Sequence, residues 1–265
     1  MYAFEYKKPA SLGEAVAALK ADDGAKALAG GQSLTPTMKQ RLAMPSALID
    51  LKGVDELRGV SVGGDAVAIG ALTLHQEVAD SADVRNAIPA LAALAGQIDD
   101  PQVRNRGTLG GSLANNDPSA CYPAAVLALG AVVVTDRREI AADDFFQGIY
   151  TTALEEDELI KAVRFPIPEK AAYEKFAQPA SRFALTGAFV AKTAGGVRVA
   201  ITGASEDGVF RHEGLEQALT AEFSEAAAKG VEVSDQGLIS DLHGTPAYRA
   251  NLIKVLTARA ATKAG

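Results

Sequence analysis

The period of apolar and polar positions changes several times along the chain, and each change marks an element. Leu12, Val16 and Leu19 share one helical face behind Ser11-Leu12-Gly13-Glu14, which fits a capping box, so residues 11–21 predict a helix. Lys26–Ala29 predicts a short strand running into Gly30-Gly31-Gln32-Ser33. Pro36 suits the first turn of a short helix through about Arg41, and Ala47–Leu51 reads as a buried strand. These elements make a compact α/β unit. Near residue 58 the pattern becomes that of a hairpin, Gly59–Val62 and Ala66–Ala71 around Gly63-Gly64-Asp65. Thr73-Leu74-His75-Gln76 fits a second capping box, opening a helix to Ala79, and Ile88–Gln97 predicts an Ala/Leu-rich helix.

The glycine- and asparagine-rich run Asp99–Pro118 predicts a long loop, followed by a helix over about Ser119–Leu129 and a strand at Ala131–Thr135. Residues 136–147, with Arg137, Arg138, Asp143 and Asp144, read as a solvated connection. Leu159–Phe165 predicts a strand stopped by Pro166 and Pro168. Beyond residue 170 come three strands, Tyr173–Ala177, Gly187–Thr193 and Val197–Ala204, the last two paired around Gly195-Gly196. Alanine-rich helices end the chain, the last with Thr245 as N-cap and Pro246 at its first position. The proline pair places a boundary near 168–172. The expected organisation is a first domain over 1–170, divided into 1–57 and 58–170, and a C-terminal domain over 171–265 with a three-stranded sheet plus helices.

Composition narrows the chemistry by exclusion. A net charge of −7 with no dense basic run argues against a nucleic-acid partner. No stretch is long and apolar enough to span a bilayer, and no apolar signal core opens the chain, so cytoplasmic residence is expected. A single cysteine, Cys121, excludes an internal disulfide and a self-contained iron–sulfur cluster. The histidines, His75, His212 and His243, are too scattered for metal-ligand spacing, so no metal site is expected. Redox chemistry here would therefore need an organic cofactor.

Two glycine loops are the candidate chemistry: Ala29-Gly30-Gly31-Gln32-Ser33-Leu34-Thr35-Pro36, and Thr108-Leu109-Gly110-Gly111-Ser112-Leu113-Ala114-Asn115-Asn116-Asp117-Pro118. Adjacent glycines admit positive φ and let consecutive N–H groups approach a bulky anion, and a helix N-terminus behind them favours phosphate oxygens. Ser33, Thr108 and Ser112 add hydroxyl donors. Neither loop carries the lysine of a Walker motif or the spacing of a dinucleotide fingerprint. By spacing alone each loop is either a tight turn or half of a diphosphate grip.

The segments AGGQSLTPTMKQRLAMPSALIDL, IGALTLHQEVA, DPQVRNRGTLGGSLANNDPSA and YEKFAQPASRFALTGAF resemble the FAD-binding medium subunits of carbon monoxide dehydrogenase and xanthine dehydrogenase-type molybdenum hydroxylases. The resemblance runs from about Phe4 to the C-terminal helix. It implies an α+β fold, with a two-subdomain, PCMH-like FAD-binding domain followed by a small antiparallel sheet with packed helices. It also implies a division of labour. A large partner subunit would hold molybdopterin and the substrate, a small partner two [2Fe–2S] clusters, and this chain non-covalent FAD, in a dimer of heterotrimers. Electrons would pass from molybdenum through the clusters to FAD and on to an external acceptor.

Carried over by position, Ala29, Gly30, Gly31, Gln32, Ser33 and Leu34 would wrap the diphosphate from one side. Thr108, Gly110, Gly111 and Ser112 would approach from the other. Asp117 either sits near the cofactor or closes an Asx turn before Pro118. Glu158, Leu159 and Ile160 either lie along the flavin ring or form a plain core strand. Lys175 either reaches the flavin's polar edge or is an exposed lysine. Arg104 and Arg106 either neutralise phosphate or brace the loop against Asp99 and Asp100. Many relatives carry aspartate where this chain has Cys121. A contact to the cofactor ribose is then lost or taken over by Asn116 or Asp117, unless Cys121 is only a small buried helix residue. His75 is expected at the surface or in the cap region. No catalytic acid–base residue is expected. A self-sufficient flavin oxidoreductase and a non-catalytic assembly subunit that has lost FAD remain as alternatives.

Overall fold

The computed structural model describes residues 1–265 and has the α+β architecture expected. The N-terminal unit comprises strand β1 (Glu5–Lys7), helix α1 (Leu12–Lys20), β2 (Lys26–Leu28), α2 (Leu34–Lys39) and β3 (Ala47–Asp50). Its sheet has the order β1-β3-β2 with both pairs parallel. Ser11 Oγ accepts the Glu14 N–H at 3.2 Å, so α1 is capped as expected. The Glu14 carboxylate returns one residue further, accepting from Ala10 N at 2.9 Å. Ala15, Leu19, Ala47, Ile49 and Leu57 form a small core of their own.

A second, five-stranded antiparallel sheet follows, ordered β4-β5-β10-β6-β7. β4 (Val60–Gly63) and β5 (Ala66–Gly70) are the predicted hairpin. α3 (His75–Asp80), α4 (Ala82–Ala87), α5 (Pro89–Gly96), α6 (Pro101–Arg104), α7 (Leu109–Asn115) and α8 (Tyr122–Leu129) come next. β6 (Val132–Thr135), β7 (Glu139–Ala141), α9 (Ala142–Phe145), β8 (Phe146–Gly148), β9 (Thr151–Thr152) and β10 (Ile160–Pro166) complete the unit.

Three expectations change here. The second capping box is not formed by Thr73. α3 begins at His75, the Glu77 carboxylate accepts the Leu74 N–H at 2.8 Å, and the Thr73 hydroxyl bonds to the Gly59 backbone instead. The loop expected over Asp99–Pro118 is largely α6 and α7, because Asp100 and Thr108 cap two short helices. Residues 136–147 are structured rather than a solvated connection. Arg138 pairs with the buried Glu158 at 2.7 Å, Phe145 is fully buried, and Asp143 meets Arg198 at 2.5 Å.

The C-terminal part has four strands rather than three: β11 (Lys170–Ala177), β12 (Ala184–Thr193), β13 (Gly196–Ser205) and β14 (Gly208–Arg211), antiparallel in that order. The fourth was hidden because Gly208–Arg211 is only four residues long and follows β13 directly after the turn at Glu206-Asp207. α10 (Glu213–Ala221), α11 (Glu225–Gly230) and α12 (Pro246–Ala264) cover one face, with Thr245 Oγ1 capping α12. The largest core joins α5, α8 and the five-stranded sheet to Tyr173, Phe189, Ala191 and Ala200 of the four-stranded one. Each such large apolar side chain contributes about 1.5–3 kcal/mol by leaving water. The two sheets are therefore packed through one interior.

Candidate functional site

One cavity of about 740 Å³ runs between the N-terminal unit, α7 and the β11–β12 loop. That volume lies in the range of ligand clefts, about 300–1,000 Å³. Its wall carries Ala29, Gly30, Gly31, Gln32, Ser33 and Leu34; Thr108, Gly110, Gly111 and Ser112; Asp117; Ile160; and Lys175, whereas Arg104, Arg106 and Asn116 do not line it.

The first loop leaves its donors free. The backbone N–H groups of residues 29–34 find no acceptor within the protein. Gly31 has φ +72°, a conformation that L side chains rarely adopt, and it turns the chain into α2. Ser33 stands at the helix N-cap without using its hydroxyl there. The result is a run of convergent donors ahead of a helix, suited to an anion held by backbone N–H groups.

The second loop differs. Its Gly-Gly step lies in the first turn of α7, and all the N–H groups of that turn are taken. Leu109 N donates to Thr73 O (3.1 Å), Gly110 N to Ala71 O (2.8 Å), Gly111 N to Thr108 Oγ1 (3.1 Å) and Ser112 N to Thr108 O (3.0 Å). The expected second nest of N–H groups is thus absent, and the segment presents side chains, chiefly the Ser112 hydroxyl. Its glycines serve packing. A Cβ on Gly110 would stand 2.6 Å from that of Ala71, and a Cβ on Gly30 would stand 2.1 Å from Arg106 O. Glycine is what lets the two loops and β5 meet backbone to backbone.

Asp117 does both things considered for it. Its Oδ1 accepts from Ser119 N at 2.8 Å, closing an Asx turn, and its Oδ2 accepts from Tyr150 at 3.1 Å, while the residue also lines the cavity. Asn116 is turned away, its amide donating to Gly148 O and Thr151 O. Glu158, Leu159 and Ile160 are buried and also line the cavity. The Arg138 hydrogen bonds hold the Glu158 carboxyl at about 2, against the opposing effect of burial. Lys175 is not a free surface lysine. Its ammonium donates to Gln97 O (2.6 Å) and Arg182 O (2.9 Å) and lies 3.6 Å from Cys121 Sγ. Cys121 is buried, which pushes its thiol up despite Lys175 nearby. Arg104 braces, but through Gln76 and the carbonyls of Ile98 and Asp99 rather than through carboxylates.

His75 stands in the cap region, as the first residue of α3, but not at the surface. It is buried on the cavity wall, its ring 5.3 Å from that of Tyr122, and burial lowers it to about 4. Its backbone N–H donates to Gly107 O, and its Nε2 lies where a Cβ on Gly107 would be. Sequence reading also missed Asp99, Ser119 and Phe183 of the same wall. Ser119 and Phe183 lie within the segments that carry the family resemblance, which could have marked them, whereas Asp99 was read only as a bracing acid. No group of three or more His, Cys, Asp or Glu side chains is placed to hold a metal ion, and no helix is long and apolar enough to cross a membrane.

Comparison with known proteins agrees with this geometry. Residues 2–168 match the family described as FAD binding domain in molybdopterin dehydrogenase. The nicotine 6-hydroxylase medium subunit of Paenarthrobacter nicotinovorans is 39% identical over 99% of this chain and 98% of its own length. Among solved structures, a carbon monoxide dehydrogenase from Hydrogenophaga pseudoflava that lacks the Mo-pyranopterin moiety superposes with a TM-score of 0.90. It is 38% identical, over 99% of this chain and 97% of that one. Quinoline 2-oxidoreductase from Pseudomonas putida 86 gives a TM-score of 0.91 at 33% identity, over 99% and 97%. With a cavity built on the free donors of residues 29–34 and relatives matching from end to end, the chain belongs to the molybdopterin dehydrogenase family as an FAD-binding subunit.

Proposed function

We propose that this chain is the electron-transferring FAD subunit of a molybdenum hydroxylase complex. Electrons reach it from [2Fe–2S] clusters in a small partner subunit and leave to an external acceptor, while substrate is oxidised at molybdopterin in a large partner. The assembly is a doubled heterotrimer in the cytoplasm, and this chain alone does not transform the substrate. The observation that carries the reading is the run of unshared N–H groups over residues 29–34 on the wall of a cavity large enough for an extended cofactor. The family match and the medium-subunit relative support it.

The residues present fit FAD. Residues 29–34 line the cavity with unshared N–H groups, Gly31 with positive φ among them, and Ser33 and Ser112 line it too. When bound, the flavin supplies reversible two-electron and one-electron chemistry. The protein's own contribution is position. Residues 29–34 hold the diphosphate through backbone N–H groups, Ser112 adds a hydroxyl, and Leu159 and Ile160 give an apolar wall. Lys175, fixed by Gln97 O and Arg182 O, holds a positive charge at the cavity.

A flavin oxidoreductase acting alone would need a base in reach of a substrate. His75 is buried, stays neutral down to about pH 4 and packs at a tilt against Tyr122, so it does not serve. An assembly subunit that has lost FAD would have no reason to keep the donors of residues 29–34 free. The relatives are named for nicotine, carbon monoxide and quinoline at comparable identity, so likeness in this chain carries no substrate choice. The test is to add excess FAD to the purified chain, remove the unbound fraction, release the cofactor with acid and identify it by chromatography. One FAD per chain, with FMN not retained, is expected. Loss of all flavin, also from the chain co-purified with its partners, would overturn the reading.

A further inference from the structure

Two side chains of the cavity wall, His75 and Asp99, end in a buried polar atom without a hydrogen-bond partner, and Asp99 is the carboxyl of the two. Its backbone is left-handed, with φ +42°, unusual for a residue with a side chain. Its Oδ1 is shut off from solvent and has no hydrogen-bond partner. The backbone around it is pinned: Gln97 O accepts from Lys175, and the carbonyls of Ile98 and Asp99 accept from Arg104 at 3.0 and 3.3 Å.

The two neighbouring cations do not satisfy this carboxyl. Lys175 has three N–H donors, and they meet Gln97 O, Arg182 O and Cys121 Sγ. Arg104 donates through Nε and Nη1 to Gln76 Oε1 and the two carbonyls and makes no hydrogen bond to Asp99 Oδ1 or Oδ2. Of the neighbouring side chains, Asp117 already accepts a hydrogen bond at each oxygen, and Asn116 is held away from the cavity by its amide N–H groups. Cys121 offers only a weak sulfur acceptor.

Resting on the reading of the cavity as an FAD site, we infer that the Asp99 carboxylate accepts a hydrogen bond from an uncharged O–H or N–H group of the bound cofactor and is a specificity-determining residue of the site. Ribose and ribityl hydroxyls and the ring N–H groups of both halves of FAD share this chemistry. A carboxylate accepts more strongly than its protonated form, so binding selects the ionised state. Burial raises the carboxyl to about 6, which Lys175 from β11 and Arg104 oppose and Asp100 and Asp117 reinforce, with Cys121 of the α8 start beside them. The cofactor-bound carboxyl is held below that value. Affinity is therefore full above about pH 6 and falls as pH drops through it. His75 stays neutral in this interval.

The test uses the full chain, stripped of flavin and titrated with FAD from pH 5.5 to 8 by flavin fluorescence. Asp99→Ala is expected to weaken binding at pH 8 by about ten- to a hundredfold and to flatten the pH profile. Asp99→Asn tolerates the left-handed backbone and keeps a neutral acceptor, so an intermediate affinity with no pH dependence is expected. If Asp99→Ala does not fold, the profile of Asp99→Asn decides alone. Displacement of bound FAD by excess FMN and by excess ADP, read by the same flavin fluorescence, separates the sources. A loss shared with FMN places the donor on the flavin half, and a loss shared with ADP places it on the adenosine half. Folded variants that keep the affinity and pH slope of the parent chain would overturn the role of Asp99 while leaving the FAD reading intact. A parent chain that binds no FAD would overturn both.

Discussion

The two Gly-Gly steps of this chain are nearly identical in composition and opposite in physical use. At Gly30-Gly31 the glycines free the backbone: φ is positive at Gly31, and the N–H groups of residues 29–34 have no protein acceptor. At Gly110-Gly111 they commit it, inside the first helical turn of α7, with every N–H of the turn already paired. Glycine in a helix costs about 1 kcal/mol relative to alanine. Here the close approach of Gly110 to Ala71 offsets that cost, because a Cβ would stand 2.6 Å from its neighbour. One loop therefore keeps its donors unshared on the cavity wall, and the other is committed to packing. A glycine pair alone does not distinguish the two; the fate of its N–H groups does.

The comparison breaks most sharply at Gly31. Gly31→Val places a branched side chain at φ +72°, with its Cβ 2.9 Å from Thr35 Oγ1, and disorders the donor run. FAD retention is expected to fall at least about a hundredfold while the circular dichroism spectrum stays native. Unchanged stoichiometry would remove the first loop from the binding machinery. Gly110→Val should do the reverse, costing about 3 kcal/mol by overpacking against Ala71. A thermal midpoint roughly 6–12 °C lower would report it. A variant as stable as the parent would show that α7 does not need its close approach.

Acid should also separate the loops, because only the second docks on a buried histidine. His75 titrates at about 4 in the folded chain and near 6.5 when unfolded, so the unfolded state binds the extra proton between those values. Stability is then full above about pH 6.5 and lost as pH falls towards 4, by about 2 kcal/mol at pH 5. His75→Gln should flatten this part of the stability-against-pH curve, and a retained slope would assign it to other groups. The smallest contrast lies within the second loop. Thr108→Ala removes the α7 cap and should cost about 1 kcal/mol, near 2–4 °C. Ser112→Ala should leave the thermal midpoint unchanged and weaken FAD about two- to tenfold. Equal behaviour of the two variants would erase the distinction between cap and ligand donor.

Much of the fold was legible because its signals are local. The β4–β5 hairpin is set by Gly63-Gly64-Asp65, α12 by Thr245 and Pro246, and the first loop by glycines that a turn requires. Tertiary contact decided the rest. The run from Asp99 to Pro118 looked like a loop because glycine and asparagine weaken helices, yet caps at Asp100 and Thr108 and packing against Ala71 and Thr73 make it helical. His75 stands in the cap region, but the chain folds Gly107 over its ring. Arg138 looked solvated because its partner Glu158 is distant in sequence. The residues on the cavity wall were legible where a family pattern held them together. Asp99 was not, since nothing next to it predicts that its carboxyl ends without a partner.

The shared interior has a consequence for how such chains can be recombined. Residues 2–168 carry the matched FAD-binding segment, but the loop bearing Asp117 and Cys121 is tied down from β13. The Thr202 hydroxyl donates towards the carbonyl of Ala120 (2.7 Å) with that of Pro118 also in reach (3.0 Å), and Gly203 N donates to Pro118 O at 2.8 Å. Tyr173 and Phe189 fill the same core as α8. A chimera exchanging only residues 2–168 with a relative would inherit one half of a hydrogen-bonded seam and mismatch the other. The natural unit of exchange is the whole chain.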